Sequence, residues 1–248
     1  DRLSNWIYKR ANKIITHNKF SKEIFRAHYK NINTEIDIIP HGNYVPFLEV
    51  KEDKKLSRNY LRIPQEKKVL LFFGMIKKVK GLEVLLQAMK KVIANNSDVF
   101  LVIAGRVWEN DFSIYQKIIN DNNLSDYCLI HNKFIPHEDV DHYYASADLV
   151  VLPYKRIYQS GVLMMSMSYE KAVIVSDLPP LIEVVEDMKT GFVFESENSE
   201  SLSEKLNRIL SDTNKLEEVR IEGSNHIKSK YDWLEIGKEM KKSYQSIL

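Results

Sequence analysis

The chain has 248 residues, with 36 Lys and Arg against 34 Asp and Glu, a formal net charge of +2, and 44% apolar residues. So even a charge balance excludes bulk electrostatic capture of nucleic acid, and the apolar content excludes disorder over most of the length. A single cysteine, Cys128, excludes a disulfide scaffold.

The longest apolar runs, Val69–Phe73, Val99–Ala104 and Leu149–Leu152, fall far short of the roughly 18–20 residues that cross a bilayer. The opening Asp1-Arg2-Leu3-Ser4-Asn5 is polar, has no signal-peptide core and no initiator Met. The expectation is a chain that begins part-way through a longer cytoplasmic protein.

In chain order, Ile14–Thr16 reads as a short strand, Ser21 to about Tyr29 as a helix and Ile36–Ile39 as a strand, followed by a turn at Pro40-His41-Gly42-Asn43. These resemble the closing βαβ of a preceding domain. Glu49–Arg58 is highly charged and reads as linker or exposed loop. Val69–Phe73 is a strand ended by Gly74, and Leu82, Leu85, Leu86, Met89 and Ile93 then form one helical stripe. Val99–Ala104 is a strand ended by Gly105, Phe112–Ile119 a helix and Cys128–Ile130 a weak strand. Pro136 opens a helix to about Ala145, with acids in its first turn. Leu149–Leu152 is a buried strand, Val162–Tyr169 a helix, Ala172–Val175 a strand, Leu181–Glu186 a short helix and Gly191–Phe194 a short strand. Ser201–Leu210 and the segment from Trp233 onward read as helices. Apolar strands alternating with amphipathic helices predict an α/β doubly wound, Rossmann-like parallel sheet of roughly six strands. Such sheets bind ligands beyond the carboxyl ends of their strands.

Two strand-end loops there combine cations with a helix start. Gly74-Met75-Ile76-Lys77-Lys78-Val79-Lys80-Gly81 offers backbone amides, lysines and two glycines to a phosphate, without the order of a P-loop. Pro153-Tyr154-Lys155-Arg156-Ile157-Tyr158-Gln159-Ser160-Gly161 leads into the helix from Val162. A solvated basic turn for the first and an ordinary Ser160 helix cap for the second remain open alternatives. The seven histidines have no metal-ligand spacing, and no nucleophile elbow, zinc-protease or paired-cysteine motif occurs.

Five segments occur in unbroken order: the hinge-like IIPHGNY, FFGMIKKVKGLEVLLQAM, FLVIAGRVWE, KFIPHEDVDHYYASADLVVLPY and QSGVLMMSMSYEKAVIVSDLPPLIEVVEDMKTGFVFE. Together they resemble retaining glycosyltransferases of family 4, which have the GT-B fold. The resemblance implies residues 1–47 as the tail of an acceptor-side domain and hinge, 48–232 as a nucleotide-sugar donor domain, and 233–248 as a helix crossing back. By the same resemblance, Lys77 and Lys80 hold the donor diphosphate and its leaving charge. Amides of Gly161 and Val162 touch the donor phosphates, Glu183 matches a family position and backbone near Phe134 and Ile135 meets the base, while the strand-end loops themselves add Gly74, Arg156, Gln159 and Ser160 as expected donor contacts.

The implied donor is a UDP- or GDP-linked sugar and the acceptor a saccharide or lipid-linked saccharide. No metal is required, and no nucleic acid takes part. The implied setting is cell-surface polysaccharide synthesis at the inner membrane face, with the acceptor domain missing from this chain and the chain inactive alone. Two family glutamates eight positions apart are absent, with Ile157 and Met165 at the matching positions. A non-catalytic nucleotide-sugar-binding module therefore stands as the alternative.

Overall fold

The computed structural model describes residues 2–48, 52–109 and 111–248. The expected doubly wound sheet is present. Strands β3 (Lys68–Phe73), β4 (Val99–Ala104), β5 (Cys128–His131), β6 (Leu149–Leu152), β7 (Ala172–Ser176) and β8 (Phe192–Phe194) form one parallel sheet in the order β5-β4-β3-β6-β7-β8. A separate two-stranded parallel sheet joins β1 (Lys13–Thr16) to β2 (Glu35–Ile38).

Because side chains alternate across a strand, each strand of the large sheet feeds two cores. Leu70, Phe72, Leu101, Ile103, Leu149 and Val151 face α4 (Leu82–Asn95), α5 (Ser113–Asp121) and α9 (Ser199–Ser211). Val69, Leu71, Val102, Val150 and Val173 face the other way, onto α3 (Lys54–Leu61), α6 (His137–Ser146), α7 (Gly161–Ser168) and α10 (Thr213–Lys230). Burial on both sides is why these strands read as unbroken apolar runs.

The first unit holds α1 (Arg2–Arg10), β1, α2 (Lys19–His28) and β2. The last helix, α11 (Trp233–Gln245), returns to it, where Lys13 Nζ donates to Ser246 Oγ at 2.6 Å. The two crossing points are joined: Asn43 N donates to the Tyr231 carbonyl at 2.8 Å, and Trp233 Nε1 donates to the Asn43 carbonyl at 2.7 Å. Gly42 is required there, since a Cβ would stand 2.3 Å from the Trp233 ring.

Three expectations are corrected. Residues 54–58, expected as linker or loop, are helical in α3: Asp53 caps the Leu56 amide, and Arg58 and Leu61 are buried. Glu49, Val50 and Lys51 of that stretch lie outside the described residues. The helix expected at Leu181–Glu186 begins and ends earlier, as α8 (Pro179–Ile182), because proline suits the first helical turn. The second helix begins at Lys19, capped by Asn18, rather than near Ser21.

At the amino ends of the strands, Lys171 Nζ lies at the carboxyl end of α6, 3.5 Å from the carbonyl of Ala145 and 3.2 Å from that of Ala147. Burial pushes its ammonium down to about 8, partly offset by Asp148; Lys54, Arg58 and Arg220 add to the depression. A lysine whose folded value is lowered carries a charge-burial cost below about pH 8 that is relieved as pH rises toward 10.5, the ordinary value. Lys171→Met should therefore gain stability relative to the parent at pH 7 and lose that advantage by pH 10. Thermal midpoints at both pH values check this, and a mutant–parent difference that does not change with pH contradicts it.

Candidate functional site

The order of the large sheet reverses between β3 and β6, which is where ligands of such sheets bind. The loops that follow these two strands are the two singled out in the sequence, and they pack together. Lys155 N donates to the Val79 carbonyl at 2.9 Å, and Lys155 Nζ pairs with Glu83 of α4 at 2.7 Å. Gly81 has φ +66°, and a Cβ there would lie 1.9 Å from the Pro153 carbonyl oxygen. Gly74 has φ +98° and stands against Val162 of α7, while a Cβ on Gly105 would meet the Gly74 carbonyl at 2.1 Å. Glycine is what lets three strand-end loops close on one another.

Lys80 spans the two loops. Its Nζ donates to the Tyr154 hydroxyl at 2.6 Å and lies 3.9 Å from that ring's centre. Tyr154 is itself buried. An ammonium has three protons, so two remain for an anion. Lys77 lies over Trp108 at 4.9 Å, toward the loop after β4. Arg156 is exposed.

Two helices start at this junction. Ser160 caps α7 by accepting from the Leu163 amide at 3.1 Å, which leaves the first amides of α7 free of that cap. Gly81 begins α4 without a side-chain cap. Both N-termini carry partial positive charge.

Gln159, Ser160 and Glu183 line a different space, a cavity of about 200 Å³ shared with His17, Asn18 and His41. Glu183 accepts from the amides of Lys19 and Phe20, each at 3.0 Å. Ile135 is buried in the core, so its backbone rather than its side chain is what can face a ligand, whereas Phe134 is 74% exposed. A larger cavity, about 410 Å³, opens at the opposite end of the sheet among Lys54, Asp148, Lys171 and Arg220. There the charges are paired with one another, as in Lys54–Asp148 and Arg220–Glu217. No Asp or Glu occurs from Pro153 to Tyr169. Among the described residues, no group of three or more His, Cys, Asp or Glu is placed to hold a metal ion, and no helix is long and apolar enough to cross a membrane.

Sequence reasoning missed Tyr154, Asn18 and Tyr44. The Tyr44 hydroxyl would lie 3.2 Å from a Cβ on Gly161. Tyr154 sits two residues past the end of β6, where ligand contacts concentrate, and that position was the available signal. The partners of Asn18 and Tyr44 are more than a hundred residues away.

Comparisons with known proteins bear on the fold and the family. The family model described as glycosyl transferases group 1 matches residues 53–226, and the chain belongs to that family. It is 27% identical over 195 residues to a putative glycosyltransferase, YtcC, of Bacillus subtilis, covering 74% of this chain and 46% of that protein. It is also 27% identical to the lipopolysaccharide 1,2-N-acetylglucosaminetransferase of Salmonella typhimurium, covering 89% of this chain and 58% of that protein. The chain thus spans about half the length of the curated relatives it matches. Among solved structures, Alr3699/HepE of Anabaena, in complex with UDP, superposes with TM-score 0.88 at 18% identity, over 99% of this chain and 67% of that one. At that identity the likeness concerns the fold, which is the Rossmann-like GT-B architecture.

Proposed function

We propose that the chain is the donor-binding part of a retaining glycosyltransferase of family 4. Such an enzyme moves a sugar from a UDP- or GDP-linked donor to a saccharide or lipid-linked acceptor in cell-surface polysaccharide synthesis, without a metal. The carrying observation is the junction of two cation-bearing loops at the reversal point of the sheet, with Lys80 spanning both. Family membership supports it, as do relatives named for lipopolysaccharide and capsular polysaccharide synthesis and fold neighbours in complex with UDP.

As the sugar–phosphate bond breaks, negative charge builds on the leaving diphosphate. In this reading Lys80, Lys77, Arg156 and the first amides of α7 supply positive charge to that oxygen. They lower the barrier without reorganising at the moment of reaction. Front-side departure assisted by the donor's own phosphate needs no protein nucleophile. The acceptor hydroxyl gives its proton to the leaving diphosphate oxygen as its own oxygen bonds to the sugar, and the acceptor-side domain holds the acceptor. Cytoplasmic action at the inner membrane face follows from a lipid-linked acceptor.

A second reading, a nucleotide-sugar-binding module without turnover, draws on the absence of any carboxylate from Pro153 to Tyr169. It predicts the same binding site and no transfer when an acceptor domain is supplied.

A charge-assisted hydrogen bond to phosphate contributes roughly 1.5–3 kcal/mol, so Lys80→Ala should weaken binding of UDP or GDP about 10-fold or more. Binding of uridine or guanosine should hardly change. Calorimetric titration checks this, and equal weakening of nucleoside and diphosphate, or none, rejects the phosphate assignment.

A further inference from the structure

The turn carrying Gln159, Ser160 and Gly161 is anchored from outside the six-stranded unit. Asn18, only 8% exposed, uses both ends of its side-chain amide. Oδ1 accepts from the Ser21 amide at 2.7 Å and so caps α2, while Nδ2 donates to the Tyr158 carbonyl at 2.6 Å. The next two residues, Lys19 and Phe20, donate their amides to the Glu183 carboxylate. The Phe20 ring also lies 6.2 Å from that of Tyr158.

One helix start therefore grips two segments of the other unit, the loop after β6 and the carboxyl end of α8. A carboxylate at a helix N-terminus is favoured by the helix dipole and by the unsatisfied first amides. Glu183 has both oxygens engaged in this way, so its observed role is to join the units.

The geometry points to Asn18 and Glu183 as positioning residues that clamp the first unit onto the donor face and fix the turn from Tyr158 to Gly161. The last step, from a fixed turn to a diphosphate held by α7, rests on the proposed function; the clamp itself does not. A plain helix cap at Asn18 makes a different prediction. Asp and Ser cap helices about as well as Asn. Neither can donate to the Tyr158 carbonyl: an ionised Asp has no proton there, and Ser is too short to reach while capping.

The test is amide hydrogen exchange on the full chain for the parent, Asn18→Asp and Asn18→Ser, with titrations of UDP and GDP alongside. The clamp predicts that residues 156–163 exchange about 10-fold faster or more in both variants, while α2 keeps its protection. Whichever diphosphate the parent binds should bind several-fold more weakly, with nucleoside affinity unchanged. Parent-like exchange at 156–163 in either folded variant overturns the clamp. If the parent binds neither UDP nor GDP, the functional reading fails and the exchange result still decides the clamp. If both Asn18 variants fail to fold, Glu183→Ala decides: it should speed exchange at Lys19, Phe20 and residues 177–184, and unchanged rates there overturn the proposal.

Discussion

Asp148→Ala should be the most damaging single truncation away from the candidate site. The Asp148 carboxylate accepts from Arg58 at 2.8 Å, Lys54 at 2.5 Å and the Val69 amide at 2.7 Å. The Arg58 side chain is 4% exposed, and it also donates to the carbonyls of Ser146 and Gln65. Removing the carboxylate leaves a buried guanidinium without a counter-charge and a strand amide without an acceptor. Such a break costs about 3–5 kcal/mol, a large share of the roughly 5–15 kcal/mol that holds a domain folded. The thermal midpoint should fall by about 10 °C. Asp148→Asn, which retains one acceptor for Val69, should fall between variant and parent. The paired change Arg58→Met with Asp148→Leu should recover much of the loss, because no buried guanidinium is then left without its partner. Denaturant unfolding of the four proteins measures all of this. A loss under about 1 kcal/mol for Asp148→Ala would show the pair to be screened.

Gly81→Ala should be nearly as costly, and it should act on the site as well. The φ of +66° strains any residue with a side chain, and the new Cβ would have to move the Pro153 carbonyl, which is backbone rather than a yielding side-chain tip. Together, strain and overlap cost roughly 2–4 kcal/mol. The two loops should part, carrying Lys80 away from Tyr154 and abolishing diphosphate binding. Gly237→Ala is the control: nothing lies within 4 Å of its Cβ position, and alanine in a helix interior stabilises by up to about 1 kcal/mol. Parent-like nucleotide affinity in Gly81→Ala would mean that loop closure is not part of the site.

The sequence carried the strands of the large sheet because both of their faces are buried. The helices it missed hid for physical reasons. α3 reads as charged loop because Lys54, Lys55 and Arg58 dominate it, yet Arg58 is buried against Asp148. α10 buries Gly223 and Ser224 beside Val219 and Ile227, so its inner face carries little hydropathy signal. Gly223 is needed there because a Cβ would meet the Thr190 carbonyl at 2.5 Å.

Both candidate loops were legible from their glycines and cations. Their convergence was not, because it depends on strand order and on close backbone approach at Gly81. Glu183 shows the reach of motif reasoning. The motif singled out the residue, but its acceptor role toward α2 arises from a unit more than 160 residues earlier in the chain.

The account rests on a diphosphate bound where the loops after β3 and β6 meet. Amide exchange of the parent chain with and without saturating UDP or GDP tests this directly. Protection should appear at residues 74–83 and 159–164 and nowhere near Lys54, Asp148 or Lys171. Protection confined to the cavity at that opposite end of the sheet, or no protection with either diphosphate, would contradict it.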